Sequence, residues 1–318
     1  MSGMDVYPLK SVPVFKQRIW GGRKLADVFG KELPAAEKIG ESWEIADLPE
    51  GQSRIANGPL AGQTLGEVVR RYTEEIAGTR DFPERFGLLV KFLDAQEVLS
   101  VQVHPDPQTC RRMGKGDPKT ECWYIIQAEP GAVIYKGFKK SVTRERFAET
   151  IQDGSAADLL AAVPVKPGEC HFIPAGTVHS LGAGLLIAEI QTPSDTTYRV
   201  FDWNRVDEAG KPRPLHIAEA LESIHFDITP EKLPVTTVGR LVDCEYFKVD
   251  KGHQARSCEL FLAWGCMRTL IFITGGGTIL SSKVEPVEFK AGDCIVIPAA
   301  FEGTATFRQD TEYLTVTI

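Results

Sequence analysis

Three polar clusters interrupt otherwise apolar strands, and together their side chains could hold a metal ion. The first is Ser100-Val-Gln102-Val-His104. In an extended segment residues two apart share a face, so Gln102 and His104 point one way while Val101 and Val103 point the other. A strand that turns an amide and an imidazole inward makes sense if that interior holds a ligand. The second cluster is Lys119-Thr-Glu121, whose lysine and glutamate fall on one face of a strand entry. The third is Ile173-Pro-Ala-Gly-Thr-Val-His179, a turn that presents His179 beyond a proline. Two imidazoles, a carboxylate and an amide oxygen form a mixed set suited to Zn²⁺, Mn²⁺ or Fe²⁺. A catalytic metal keeps a position for water or substrate, and four protein donors plus water are compatible with that. Any one of these histidines alone reads as a satisfied polar residue; the combination with the glutamate is what points to a metal. His171, His216, His225 and His253 stand in contexts that add nothing to the set.

The elements that must position these groups are mostly β. Short apolar or alternating runs such as FGLLVKFLD, ECWYIIQA, GLLIAEIQ, TLIFITG and DCIVIPA recur between glycine and proline punctuation. Helical spacing is confined to about 64–78, to 143–162 with a break near Gly154, and to 215–223. An internal repeat sets Val165–Ala175 against Phe289–Ala299, 124 residues on, with six of eleven positions identical. A repeated turn, strand and Ile-Pro-Ala ending predicts two units of one β architecture, divided in the Pro230–Pro234 stretch. In the second copy Gly303 stands where the first has His179, and no Gln-x-His pair precedes it, so the second unit is expected to carry no metal ligands.

Composition narrows the partners. The net charge of −7 offers no global field for nucleic acid or an anionic membrane, so an anionic substrate needs a local basic pocket. No signal-peptide pattern opens the chain, and no apolar run approaches the ~20 residues of a membrane-spanning helix. Seven cysteines without a CxxC pair read as reduced thiols, which makes the cytoplasm the expected location.

The motifs Leu99-Ser-Val-Gln-Val-His-Pro105, Lys119-Thr-Glu-Cys-Trp-Tyr124, Pro174-Ala-Gly-Thr-Val-His179 and Glu189-Ile-Gln-Thr-Pro-Ser-Asp-Thr-Thr-Tyr-Arg-Val-Phe-Asp-Trp203 occur in this order. With Trp20-Gly21 and Glu41-Ser-Trp-Glu44, they resemble the short bacterial form of the type I mannose-6-phosphate isomerases, which are cupin-fold phosphomannose isomerases. The resemblance implies two cupin-type β barrels (jelly rolls), with a few helices in or beside the first. With the boundary read from the repeat, residues 1–232 are expected to form a catalytic metal-binding domain and 233–318 a cupin-like domain without metal ligands. It also implies one Zn²⁺ per chain, bound by Gln102, His104, Glu121 and His179, with Arg199 catalytic and Ser100, Lys91, Lys119 and Glu189 lining the substrate pocket.

The implied reaction interconverts mannose 6-phosphate and fructose 6-phosphate, so the partner is a small sugar phosphate. Moving a proton between C1 and C2 passes through an enediolate, an oxyanion that needs a metal or a cation beside it. Glu189, Lys119 and a metal-bound water are the candidate bases. Arg199 stays protonated, so it is either the cation facing the oxyanion or phosphate, or half of an ion pair with Asp195 or Asp202. Lys91, Lys136 and Arg199 are candidate phosphate partners. Two other readings use the same residues: an iron-dependent cupin oxidoreductase, because two histidines and a carboxylate suit non-haem iron, and a sugar-binding cupin without turnover.

Overall fold

The apolar runs of the sequence form strands, and the strands pair antiparallel throughout. The computed structural model describes residues 6–206, 210–227 and 238–318. The division expected at 232/233 lies outside the described residues. A five-stranded sheet takes the order Leu160–Pro164, Val133–Phe138, His179–Leu181, Val101–Val103, Tyr198–Phe201. A six-stranded sheet runs Cys170–Ile173, Glu121–Ala128, Leu185–Gln191, Leu89–Ala95, Ile39–Ile45, Val14–Gly22. A seven-stranded sheet runs Gly239–Asp243, Lys248–Gln254, Thr311–Thr317, Arg268–Phe272, Cys294–Ile297, Leu9–Val12, Arg54–Ile55. A four-stranded sheet runs Glu259–Phe261, Thr304–Phe307, Gly276–Leu280, Val287–Lys290. Among the described strands no sheet closes on itself as a barrel, and Leu9–Val12 joins the sheet built mainly from the last eighty residues of the chain.

The sheets stack in the order five, six, seven and four strands. Leu93, Trp123, Ile125, Leu185 and Ile187 of the six-stranded sheet pack against Ile134 and Leu181 of the five-stranded one. Its other face sets Phe92, Cys122, Tyr124, Leu186, Ala188 and Ile190 against Val249, Ile271, Val296, Leu314 and Val316. Phe272, Ile295 and Ile297 then meet Ile279, Phe289 and Phe307 across the last interface. Because both faces of the six-stranded sheet are covered, Ile39–Ile45, Leu89–Ala95 and Leu185–Gln191 are buried at every position. A charge within such a strand therefore points into the protein, and Glu41, Lys91 and Glu189 do so.

Helices close the outside. Thr64 caps Leu65–Arg71 in a reciprocal capping box with Glu67, and Thr73–Ala77 follows directly. Thr143 caps Arg144–Asp153, whose Phe147 and Ile151 pack with Ala220 of Ile217–Ser223 on the outer face of the five-stranded sheet. The helical expectation for 143–162 overruns. Gly154, at φ 80°, ends the helix, and after a short 3₁₀ turn Leu160–Pro164 is a strand whose burial alternates residue by residue. Two helices had no signal in the apolar periodicity, Lys24–Phe29 and Pro107–Met113. The second starts on an Asp106 cap with proline at its first position and stops at Gly114 (φ 66°).

The internal repeat falls on equivalent strands, Cys170–Ile173 and Cys294–Ile297, each entered through a glycine at positive φ: Gly168 at 92° and Gly292 at 85°. A Cβ on Gly168 would meet nothing nearer than Lys251 Nζ at 3.6 Å, whereas one on Gly292 would lie 2.5 Å from Phe29 Cβ. Gly168→Ala should therefore lose about 1–2 kcal/mol from backbone strain alone. Gly292→Ala should lose a further 1–3 kcal/mol, roughly, from overpacking. Urea denaturation checks the order, and equal midpoints for the two variants would refute it.

Candidate metal centre and substrate cavity

Cross-strand register builds the site as two facing rows. On the five-stranded sheet His179 pairs with Lys136 on one side and Gln102 on the other, and Gln102 pairs in turn with Arg199. On the six-stranded sheet Glu121 pairs with Gln191, Glu189 with both Trp123 and Lys91, and Lys91 with Trp43. Paired residues share a face and side chains alternate along each strand, so Glu121, Trp123, Glu189, Lys91, Trp43 and Glu41 all look toward the first row.

At one end the rows meet. Glu121 Oε2 lies 3.5 Å from His104 Nε2, and Glu121 Oε1 lies 3.5 Å from His179 Nε2. The three donor atoms sit within 4.8 Å of one another, and all three residues are buried. The opposite ring nitrogens are engaged: His104 Nδ1 donates to the Thr196 carbonyl and His179 Nδ1 to the Thr177 carbonyl, both at 2.8 Å. That fixes the tautomer in which each Nε2 lone pair points at Glu121. His104 Nε2 and both Glu121 oxygens are buried and form no hydrogen bond. Orphaned buried acceptors on this scale are unfavourable in isolation and are what a metal ion would satisfy. The donor set fits a metal. Gln102 is adjacent, its Nε2 3.3 Å from His179 Nε2, and a half-turn of the amide would present Oε1 to the same point.

The electrostatics agree with the geometry. Burial, then Lys119, holds His104 well below the usual imidazole range, and burial brings His179 down to about 4. Burial and the nearby Glu189 push Glu121 up to about 7, against the pull of Lys119, whose Nζ stands 3.0 Å from Oε2 without hydrogen-bond alignment. Neutral imidazoles are ready ligands, and a divalent cation would favour the ionised carboxylate beside them.

Beside this centre opens a cavity of about 350 Å³ whose wall includes Ser100, Gln102, Lys91, Lys119, Glu189 and Arg199. Lys91 Nζ sits 3.0 Å from Glu189 Oε1 and 5.2 Å from the centre of the Trp43 ring. Glu189 Oε2 accepts from Trp123 Nε1 at 3.2 Å, and Lys119 Nζ is 3.9 Å from Oε1. Burial works against the charged form of Glu189, but Lys91 and Lys119 outweigh it and keep the carboxyl below its ordinary range. Glu41 is similar: against burial, Lys91 and Arg18 hold it at about 2, with Trp43 Nε1 and Arg18 Nε each 2.7 Å from its oxygens.

Arg199 donates from Nε to Ser100 Oγ at 3.1 Å and from Nη1 to the Pro214 carbonyl at 3.0 Å. Among the described residues it has no carboxylate partner, since Asp202 is engaged by Arg205 and Arg213. Lys136 is buried but lies off the cavity wall. It pairs with His179 on the side away from Gln102, while the cavity opens on the Arg199 side. Three charged wall residues, Arg18, Glu41 and Arg213, escaped the sequence reading of the site. Arg18 and Glu41 sit on strands where alternation, Lys16-x-Arg18-x-Trp20 and Glu41-x-Trp43, was the available signal. Arg213 lies in a segment with no periodicity to mark it.

Comparison with known proteins bears directly on this arrangement. Residues 7–122 match the family described as phosphomannose isomerase type I, catalytic domain. The chain is 40% identical over 316 residues to the Bacillus subtilis protein named "Probable mannose-6-phosphate isomerase GmuF", covering 95% of this chain and 98% of that one. It is 39% identical over 306 residues to mannose-6-phosphate isomerase ManA of the same organism, covering 93% and 94%. The crystal structure of a mannose 6-phosphate isomerase from Bacillus subtilis superposes with a TM-score of 0.89 at 32% identity, over 98% of this chain and 100% of that one. Likeness in sequence and in fold over almost the whole of both chains has one reading: the chain belongs to the type I phosphomannose isomerase family.

Proposed function

We propose that the protein is a zinc-dependent aldose–ketose isomerase that interconverts D-mannose 6-phosphate and D-fructose 6-phosphate through an enediol(ate). The observation that carries this reading is the set of orphaned donors on His104 and Glu121, adjoining a cavity walled by buried acid–base groups. His104, Glu121 and His179, with Gln102 once its amide is turned, would hold one zinc per chain. Bound there, zinc supplies a Lewis acid for the sugar oxygens flanking the migrating hydrogen. Glu189 and Lys119 line the cavity and are the groups that can carry the proton between C1 and C2, as the carbonyl moves the opposite way. Arg199, held by Ser100 and the Pro214 carbonyl and lacking a carboxylate, presents a preorganised cation to the developing oxyanion. Ser100 positions Arg199 and Lys91 positions Glu189.

We further propose that the two facing pairs of sheets are two cupin-type jelly rolls. Residues 1–232 would form the catalytic unit, and 233–318, with Leu9–Val12 paired into it, a supporting unit without metal ligands. A small sugar phosphate is the partner, and the cysteine spacing fits a cytoplasmic setting.

A coupled assay for fructose 6-phosphate formed from mannose 6-phosphate tests the activity. Turnover should vanish on chelation and return with zinc, and absence of turnover by the zinc-loaded protein would refute the reading. Elemental analysis should find one zinc per chain in the wild type and none in a His104→Ala, His179→Ala double variant. Unchanged zinc in that variant would remove these residues from the metal site. Arg199→Ala should keep its zinc and its melting temperature while kcat falls at least about a hundredfold. Arg199→Lys should recover only part, because an ammonium does not reproduce the planar fork. A wild-type kcat in Arg199→Ala would make the arginine structural.

A further inference from the structure

The two rows that meet at the metal centre both lead to an arginine. On the five-stranded sheet the sequence of neighbours from His179 is Gln102, then Arg199 on the edge strand Tyr198–Phe201. Outside that edge runs the segment ending at His216, whose N–H donates to the Arg199 carbonyl at 2.8 Å. Arg213 belongs to this outer segment, so along this row it lies beyond the edge strand that carries Arg199. On the facing sheet the row passes from Glu121 through Glu189, Lys91 and Glu41 to Arg18 on the outermost strand, Val14–Gly22. Arg18 comes from the six-stranded sheet and Arg213 from the segment outside the edge of the five-stranded one, yet both line the same cavity. The charge of Arg18 bears on Arg213 as well as on Arg199.

These two guanidinium groups are incompletely used. Arg213 Nη1 is buried, stands 3.6 Å from Asp202 Oδ1, and forms no hydrogen bond. Asp202 is already held by Arg205. Arg18 engages Glu41 through Nε and the Gln17 carbonyl through Nη1, and its Nη2 has no hydrogen-bond partner among the described residues. The lysines of the wall are committed instead, Lys91 to Glu189 and Lys119 to Glu121. Five basic and three acidic side chains line the cavity, a surplus of two positive charges in a chain of net charge −7. A phosphate monoester carries about −1.5 to −2 at neutral pH and accepts forked hydrogen bonds from guanidinium.

We infer that Arg213 and Arg18 receive the phosphate group of the substrate, at the end of the cavity remote from the metal, and leave Arg199 to face the sugar oxygens in between. This assignment rests on the isomerase reading for its choice of substrate, and it extends that reading by fixing which way the substrate lies. The reacting carbons sit against Glu121 and the histidines, and the phosphorylated end sits between the outermost strand Val14–Gly22 and the segment outside Tyr198–Phe201.

Arg213→Met is the informative variant, because it keeps side-chain volume and leaves Asp202 paired with Arg205. For mannose 6-phosphate its KM should rise about tenfold to a hundredfold with kcat within about threefold of wild type. The competitive inhibition constant of inorganic phosphate should rise by a similar factor, and Arg213→Lys should recover part of both. Metal content and melting temperature should not move. KM and phosphate inhibition within about twofold of wild type would overturn the inference while the isomerase reading stands. Calorimetric titration of the zinc-loaded protein with inorganic phosphate separates the two without turnover. Phosphate binding that Arg213→Met abolishes, in a wild type that does not isomerise, would overturn the isomerase reading and uphold this site. Phosphate binding unchanged by the substitution would overturn this site alone.

Discussion

An ammonium group buried between two carboxylates sets the terms for the rest of the molecule. Lys91, Glu189 and Glu41 occupy three adjacent strands of a sheet that is covered on both faces. An unpaired charge in such a place is unfavourable by several kcal/mol, roughly, so each of the three requires the others. Side chains alternate along a strand, so a slip of one residue in any of these strands would carry a charge into the apolar layer of Phe92, Leu186 and Ile190. The groups proposed to hold and move the substrate's protons are therefore also the groups that specify the register of the sheet that presents them.

The metal end depends on the same register but is finished by loops. Thr177 and Thr196 supply the carbonyls that orient His179 and His104, and both lie in connections at one end of the sheets. Thr120 braces these connections together. Its carbonyl accepts from Thr192 N at 3.0 Å, its N–H donates to Thr192 Oγ1 at 3.2 Å, and its hydroxyl accepts from Ala175 N at 3.2 Å. Glu121 is the next residue. The strand that delivers the carboxylate thus begins at the point where the two histidine-orienting loops are tied, which couples the positions of all three donors.

The proposed anionic small-molecule substrate would meet positive charge in the cavity of a protein that is acidic overall. The chain has a net charge of −7, whereas the wall of this cavity carries a cationic surplus. Field lines in such a cleft are focused by the low-dielectric sheets around it, whereas the acidic exterior repels polyanions. Among the described residues the cation of the wall without a carboxylate partner is an arginine, Arg199, and guanidinium is more weakly hydrated than ammonium and better matched to planar, forked recognition.

Much of this was legible in the amino-acid sequence. The β character followed from short apolar runs between glycines and prolines. The helix starts at Thr64 and Thr143 followed from capping chemistry, and the donors His104, Glu121 and His179 followed from polar residues placed where a buried strand should be apolar. These are local properties, written in residue type and in spacing along one segment. Other features belong to the tertiary structure alone. Leu160–Pro164 is a strand because Gly154 ends the helix before it and because a neighbouring strand offers hydrogen bonds, neither of which its own periodicity reveals. Lys136 and Arg199 were both candidate phosphate partners in the sequence, yet cross-strand pairing puts them on opposite sides of His179, and of the two Arg199 lines the cavity. Arg18 and Arg213 are 195 residues apart and carry no shared motif. They line one cavity because the six-stranded sheet faces the five-stranded one and the segment along its edge, and which element lies opposite which is decided by long-range packing, on which local spacing is silent.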